Sequence, residues 1–175
     1  MYAKSGKHSS SGECFMNKNR LLSIIICFIF LFFIAPQKEG LNLLAKRLNH
    51  GTYSAYVTNF VAAEEIEQSY NYIKIANGGI LVCELQYMQK VKSYSYQVLG
   101  ESLSFYGNID EFNNLVKIYR VKIIVAEQVG DIMTIYGHSF AFRKHIILDN
   151  KKVNVQIAIN NNCITVGTPI ILGSY

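Results

Sequence analysis

The sequence predicts an α+β fold, an antiparallel sheet packed by helices, placed after an N-terminal hydrophobic helix. Three observations carry this reading. Residues 21–35 form an unbroken apolar run, LLSIIICFIFLFFIA, preceded by basic residues. Two later helix signals, at Thr58-Asn59 and at Asn108, are each followed by strand-like segments. Residues 153–159, VNVQIAI, alternate between aliphatic and other side chains with the period of a β-strand. The two helix-then-strand stretches suggest a pair of α-β-β-β units. With 175 residues, 50% of them hydrophobic and 17% charged, the chain is too apolar for disorder and fits one compact domain plus an apolar segment.

The N-terminal elements are topological. Lys4, Lys7, Lys18 and Arg20 stand against Glu13 in residues 1–20, a net charge of +3. Basic residues ahead of an apolar run hold the N-terminus in the cytoplasm and direct the remainder outward. The uncharged stretch continues to Gln37, giving 17 residues, the lower limit of a membrane span. Phe33 and Pro36 spoil a small-x-small cleavage site after Ala35. Residues 21–37 therefore read as an uncleaved signal anchor, with a cleaved signal peptide, and hence secretion, as the alternative. Met1 and Met16 both serve as possible starts. The predicted divisions are a cytoplasmic basic tail at 1–20, the anchor at 21–37, a membrane-proximal segment at 38–57 and an extracytoplasmic domain at 58–175.

Charge follows from that division. The whole chain carries a formal +5, but the residues after 20 hold 13 basic and 11 acidic side chains, a net of only +2. Most of the basic excess is an orientation signal.

Leu41, Leu44 and Leu48 recur at helical spacing, with Lys46 and Arg47 beside them. They fit an amphipathic helix at the membrane surface or a helix of the fold itself. Thr58 and Asn59 are N-cap candidates, Glu64, Glu65 and Glu67 suit the first turns, and Ala63, Ile66, Tyr70 and Ile73 make a helical stripe stopped by Asn77-Gly78-Gly79. Strands are then expected in ILVCELQYM, SYSYQVL and SLSFY, punctuated by Lys90–Lys92 and Gly100-Glu101.

Asn108 with Glu111 three residues on resembles a capping box, and Ile109, Phe112, Leu115, Val116 and Tyr119 form the apolar stripe of a second helix. Strands follow at 121–129 and 132–137, joined at Gly130-Asp131, then at 146–148 and 153–159 around the turn Asp149–Lys152. Val153, Val155, Ile157 and Ile159 mark one face of the last of these. Asn154, Gln156, Ala158 and Asn160 mark the other, which the alternation predicts to be wet. An Asn160–Asn162 turn leads into Cys163–Val166, and Gly167-Thr168-Pro169 bends the chain before Ile170–Leu172.

Of the cysteines Cys14, Cys27, Cys83 and Cys163, only the last two fall in the exported part. One Cys83–Cys163 disulfide is the most that part allows. Both sit in apolar strand-like runs, where a buried free thiol is the usual finding.

The C-terminal stretch carries a resemblance. DIMTIYGHSF, then KKVNVQIAI, then ITVGTPIILGSY resembles the YwmB-like family of low-GC Gram-positive bacteria, whose members bear a "TATA-box binding" label. The matching positions are Lys152, Asn154, Gln156 and Ala158, then Gly167 to Ile171, then Tyr175, within residues 131–175. The chain departs from the pattern at the bare Asn160–Asn162 turn. The resemblance implies an exported protein with a two-repeat, TATA-binding-protein-like saddle. A fold does not bring its function with it.

Three function classes compete. A nucleic-acid-binding module needs clustered Lys and Arg to displace counterions, and the exported part offers only the doublets Lys46-Arg47, Arg143-Lys144 and Lys151-Lys152. A hydrolase using His138 or His145, with Ser139, Asp131 or Asp149 near in sequence, lacks any nucleophile, metal or phosphate motif to organise it. The reading left is a noncatalytic binding or structural module held at the membrane through 21–37. It has no assigned catalytic, cofactor or metal residues, and its partner would be a protein, peptide or glycan. Asn154, Gln156 and Asn160, with Tyr87, Tyr94, Tyr96 and Tyr106, are the candidate binding surface, unless they only solvate the sheet.

Overall fold

The computed structural model describes residues 40–58, 71–75, 78–93 and 97–171, all within one unit that runs from Lys38 to the C-terminus. The tail, the apolar run 21–37, Tyr94, Tyr96 and Tyr175 lie outside the described residues. No helix among the described residues is long and apolar enough to cross a membrane.

The chain begins with helix α1 (Gly40–Ala45), strand β1 (Thr52–Thr58), β2 (Asn71–Ile75) and β3 (Gly78–Glu84). A 3-10 turn, Leu85–Tyr87, leads into the short helix α2 (Met88–Lys92) and the long strand β4 (Gln97–Tyr106). The second half has α3 (Ile109–Ile118), β5 (Lys122–Val129), β6 (Ile132–His138), β7 (Ile146–Leu148), β8 (Lys151–Val153), β9 (Val155–Asn160) and β10 (Cys163–Thr168). Eight strands make one sheet in the order β2-β3-β1-β4-β10-β9-β6-β5, with β7 and β8 as a separate hairpin. Every pairing is antiparallel. The α+β class read from the sequence stands.

The core lies on one face of this sheet. Successive pairings line up Cys83, Tyr53, Leu103, Val166, Ile157 and Ile135 in one row across β3, β1, β4, β10, β9 and β6. All of them are buried, and α1 (Leu41, Leu44), α2 (Met88, Val91) and α3 (Phe112, Leu115) close over the same cluster. Leu41 and Leu44 are 0% and 3% exposed, so the leucine stripe at 41–44 belongs to the fold rather than to a membrane surface. Residues 38–57, read as a segment preceding the domain, thus supply α1 and nearly all of β1, a central strand.

Several local readings gave way to tertiary pairing. The helical stripe over 63–73 ends in a strand: Ile73 sits in β2, pairs with Ile80 and is 57% exposed, while residues 59–70 lie outside the described region. Ile75 pairs with Gly78, so Gly78 opens the second strand of a hairpin and is not a helix stop. The expected strand over 80–88 ends at Glu84. Beyond it, Met88 and Val91 bury themselves at helical spacing, and Lys90–Lys92 is the end of α2. Gly100-Glu101 is no break either: β4 runs through it, with a register shift opposite Tyr56-Val57 that leaves Leu99 unpaired and half exposed.

Other local readings hold. Asn108 caps α3, its Oδ1 accepting the Glu111 N–H at 3.0 Å. Gly130 turns the β5–β6 hairpin with φ +58°, and Asp149 and Asn150 turn β7–β8 with φ 46° and 60°.

Each half of the sheet contributes four strands, not three, and the halves meet at β4–β10. Their wiring differs. Strands β5, β6, β9 and β10 follow one another as neighbours, whereas β1 is inserted between β3 and β4.

Candidate functional site

The expected binding surface on β9 is not a surface. Asn154, Gln156 and Ala158 are 2%, 3% and 1% exposed. The reason is that the connecting segments fold back onto this face. Asn154 Nδ2 donates to the carbonyls of Ser139 and Phe142, both at 2.7 Å, and Asn154 Oδ1 accepts the Ser139 N–H at 2.8 Å. Gln156 Oε1 accepts the Ile171 N–H at 2.9 Å, tying the C-terminal segment across the sheet. Gly167 permits that crossing: a Cβ there would stand 2.5 Å from the Ile171 nitrogen. The KxNxQxA and GTPII motifs therefore operate as internal staples. Asn160, at the end of β9, is only partly buried. Of the tyrosines, Tyr106 is 82% and Tyr87 36% exposed.

The same face is lined by small polar groups. Ser102, Thr134 and Thr165 are buried, and Ser104 and Thr165 share a hydroxyl–hydroxyl bond of 2.9 Å.

The loop that Asn154 holds runs from Ser139 to Phe142 at the end of the sheet where β6 finishes and β5 begins. Ser139 Oγ donates to the Tyr119 carbonyl, and Tyr119 Oη donates to the Gly40 carbonyl at 3.1 Å. Gly40 N–H returns to the Ala141 carbonyl at 2.9 Å, and Phe142 packs on Tyr119 with ring centroids 5.2 Å apart. Burial pushes the Tyr119 hydroxyl up to about 12.

A charged cluster that sequence reading did not single out lies under α2. Glu101 faces the core opposite Ala55, whose small side chain leaves it room. Lys92 Nζ meets Glu101 Oε2 at 2.6 Å, donates to Asn42 Oδ1 at 3.0 Å and lies 5.3 Å from the centre of the Tyr53 ring. Tyr53 Oη, fully buried, donates to the same Glu101 oxygen at 2.9 Å. This network ties α1, α2, β1 and β4 together and is fully paired. Glu101, Leu103 and Phe105 share the inward parity of β4, a signal that becomes visible only once β4 is seen to run through Gly100-Glu101.

The histidines stand apart from the acids near them in sequence. His138 closes β6 and pairs with Lys122, while Asp131 sits in the hairpin at the opposite end of the same strand, about 20 Å away at the rise of a strand. The His138 ring meets Phe140 edge-on at 5.6 Å. His145 is exposed, and Asp149 lies at the far end of β7 from it. Among the described residues no three His, Cys, Asp or Glu side chains gather as a metal site would require.

Cys83 and Cys163 are both free. Strands β1 and β4 intervene between β3 and β10, a gap of about 14 Å at the usual strand spacing, which no disulfide spans. Burial, with Glu84 beside it, pushes the Cys83 thiol up to about 11. Cys163, expected to be buried, is exposed at the start of β10.

Two surface features remain open. The first is β5, an eight-residue strand with β6 as its one neighbour among the described strands, exposed along most of its length and ending in Val129 at 73% exposure. The second is a groove of about 530 Å³ lined by Lys122, Ile123, Ile124, His138, Lys151 and Lys152. No family model matches the chain, and no curated protein is similar enough to it to count as a relative.

Proposed function

We propose that the chain is an extracytoplasmic, membrane-anchored, noncatalytic binding module that takes an extended peptide segment of a partner protein onto the β5 edge. The observation that carries this is the open edge itself. Among the described residues no strand pairs with the outer side of β5, and a row of backbone donors and acceptors open in this way captures a further strand. The register irregularity between Ile123 and Val125 disrupts the first part of the edge, leaving Val125–Val129 as the regular stretch.

Anchoring rests on the apolar run 21–37 and its basic upstream flank. The YwmB-like affiliation rests on the motif at 152–171. The equal contribution of four strands from each half, with β4–β10 as the seam, supports a TATA-binding-protein-like arrangement, while the helix expected after Thr58 lies outside the described residues and the insertion of β1 between β3 and β4 has no counterpart in the second half. The noncatalytic reading is supported by how the polar side chains are used. Asn154, Gln156, Glu101, Lys92 and Tyr53 are engaged inside the fold, and His138 lies far from Asp131.

Photocrosslinking from Glu127 and Gln128 in intact cells, read by mass spectrometry, tests the proposal. A partner peptide crosslinked at the β5 positions and absent from a control site such as Tyr106 supports it. Equal capture at both sites refutes edge binding. Protection of the 40–175 domain from protease added outside wall-stripped cells refutes the topology.

A further inference from the structure

We infer that the end of the domain carrying His138, Phe140 and the Lys122–Lys151–Lys152 groove is a docking face for an anionic phospholipid surface. This inference rests on the membrane-anchored reading above. Two independent observations lead to it.

The first is chemical. Three lysines and a histidine surround two isoleucines in the groove, and among the described residues no carboxylate lines it. Beside it stand large apolar side chains that the fold leaves in solvent: Phe140 at 83%, Ile147 at 61% and Ile123 at 50% exposure. Phe140 is joined to the groove through its edge-on contact with His138. Lysines that ring exposed aromatic and aliphatic side chains match an anionic bilayer surface, where the apolar groups enter the headgroup boundary and the ammonium groups meet phosphates. Asp149, exposed in the β7–β8 turn two residues before Lys151, is the one acid close to the groove in sequence, and it is outnumbered by Lys122, Lys151 and Lys152.

The second is geometric. Gly40, the first described residue, is hydrogen-bonded to Ala141 in the loop that carries Phe140. Gln37 ends the uncharged run only three residues earlier. A chain of three residues reaches at most about 11 Å. On the anchored reading, the loop carrying Phe140 is the part of the domain joined to residue 37 by the shortest stretch of chain, and Tyr106, Asn161 and Gly130 lie at the other end of the sheet. Both observations select the same end of the sheet, although one comes from side-chain chemistry and the other from covalent reach.

The chain has no tryptophan, so a single Phe140→Trp substitution at an exposed site gives a unique fluorophore. The full chain bearing F140W is reconstituted into vesicles with and without phosphatidylglycerol, and emission and quenching by brominated acyl chains are recorded. In the anionic vesicles we expect emission to move to shorter wavelength and to be quenched. The same label at Tyr106 (Y106W) should stay solvent-like in both. Replacing Lys122, Lys151 and Lys152 with Gln should weaken docking roughly 100-fold, at about fivefold per lysine near such a surface.

Solvent-like emission of F140W in anionic vesicles overturns the inference, as does equal quenching of Y106W. A spectral shift caused by a soluble anionic polymer over uncharged vesicles assigns the face to that polymer and also overturns it. Resistance to alkaline extraction is measured on the same samples. A chain that is extracted refutes the anchor, whereas one that stays in the bilayer with a solvent-like Trp refutes only the docking.

Discussion

Replacing Asn154 with Ala tests whether this residue staples the fold or decorates its surface. The side chain makes three buried bonds, at 2.7, 2.7 and 2.8 Å. After truncation the Ser139 carbonyl keeps the Phe142 N–H, 3.3 Å away, as a partner. The Ser139 N–H and the Phe142 carbonyl lose theirs. An orphaned buried group costs about 1–3 kcal/mol, so two give about 2–6 kcal/mol, and water entering the gap pulls the figure toward about 3 kcal/mol. Phe142, 5% exposed against Tyr119, loosens with the loop. In a domain of this size about 3 kcal/mol lowers Tm by about 6–12 °C. Denaturant and thermal unfolding followed by circular dichroism measure both quantities. Asn160→Ala on the same strand is the reference, expected within about 0.5 kcal/mol of the parent. If N154A also falls within that margin, the stapling argument is wrong and the polar face of β9 is available for binding after all.

Other outcomes follow from the same structure. Lys92→Met leaves the Glu101 carboxylate buried against the Tyr53 hydroxyl without its cation and should cost about 3–5 kcal/mol in urea unfolding. The K92M/E101L double variant should recover much of that, because an apolar pair needs no charge compensation. Asn108→Ala should lose about 1 kcal/mol, and Asn108→Asp little, by the same unfolding assay. A thiol reagent at pH 8 should modify Cys163 promptly and Cys83 only on unfolding, since Cys83 is buried and its thiol is held up at about 11. The folded state holds the protons of Cys83 and Tyr119 more tightly than the unfolded chain, so their contribution is complete below pH 9. It falls as pH rises from 9 to about 11 for Cys83 and from 10 to about 12 for Tyr119. Unfolding midpoints across that range should decline, and less steeply between pH 9 and 11 in C83A.

Legibility followed the range of the interactions. Caps and tight turns are decided within four residues, so Asn108, Gly130 and the Asp149-Asn150 turn could be read directly. Edge strands could not be identified, because an edge is defined by the absence of a neighbour. Ile73 kept a helical spacing that pairing with Ile80 overrode. The lysines at 90–92 looked like a break between strands, yet they end α2, and Lys92 is committed to Glu101. The candidate site suffered most. Asn154 and Gln156 carry polar side chains, and polarity alone does not tell whether water or a returning loop will satisfy them.

The sequence by itself determined an apolar run with a basic flank, an α+β pattern and a nearly balanced charge after residue 20, all properties that summed charge and short-range periodicity express. Only the tertiary structure decided which polar residues are spent inside. It put Asn154 and Gln156 under the 139–142 loop and the 170–171 segment, set Glu101 against Lys92, and left β5 open at the edge. A side chain's donors and acceptors are fixed by its covalent chemistry. Their partners come from strands and loops that are distant in the chain, and those meet only when the sheet forms.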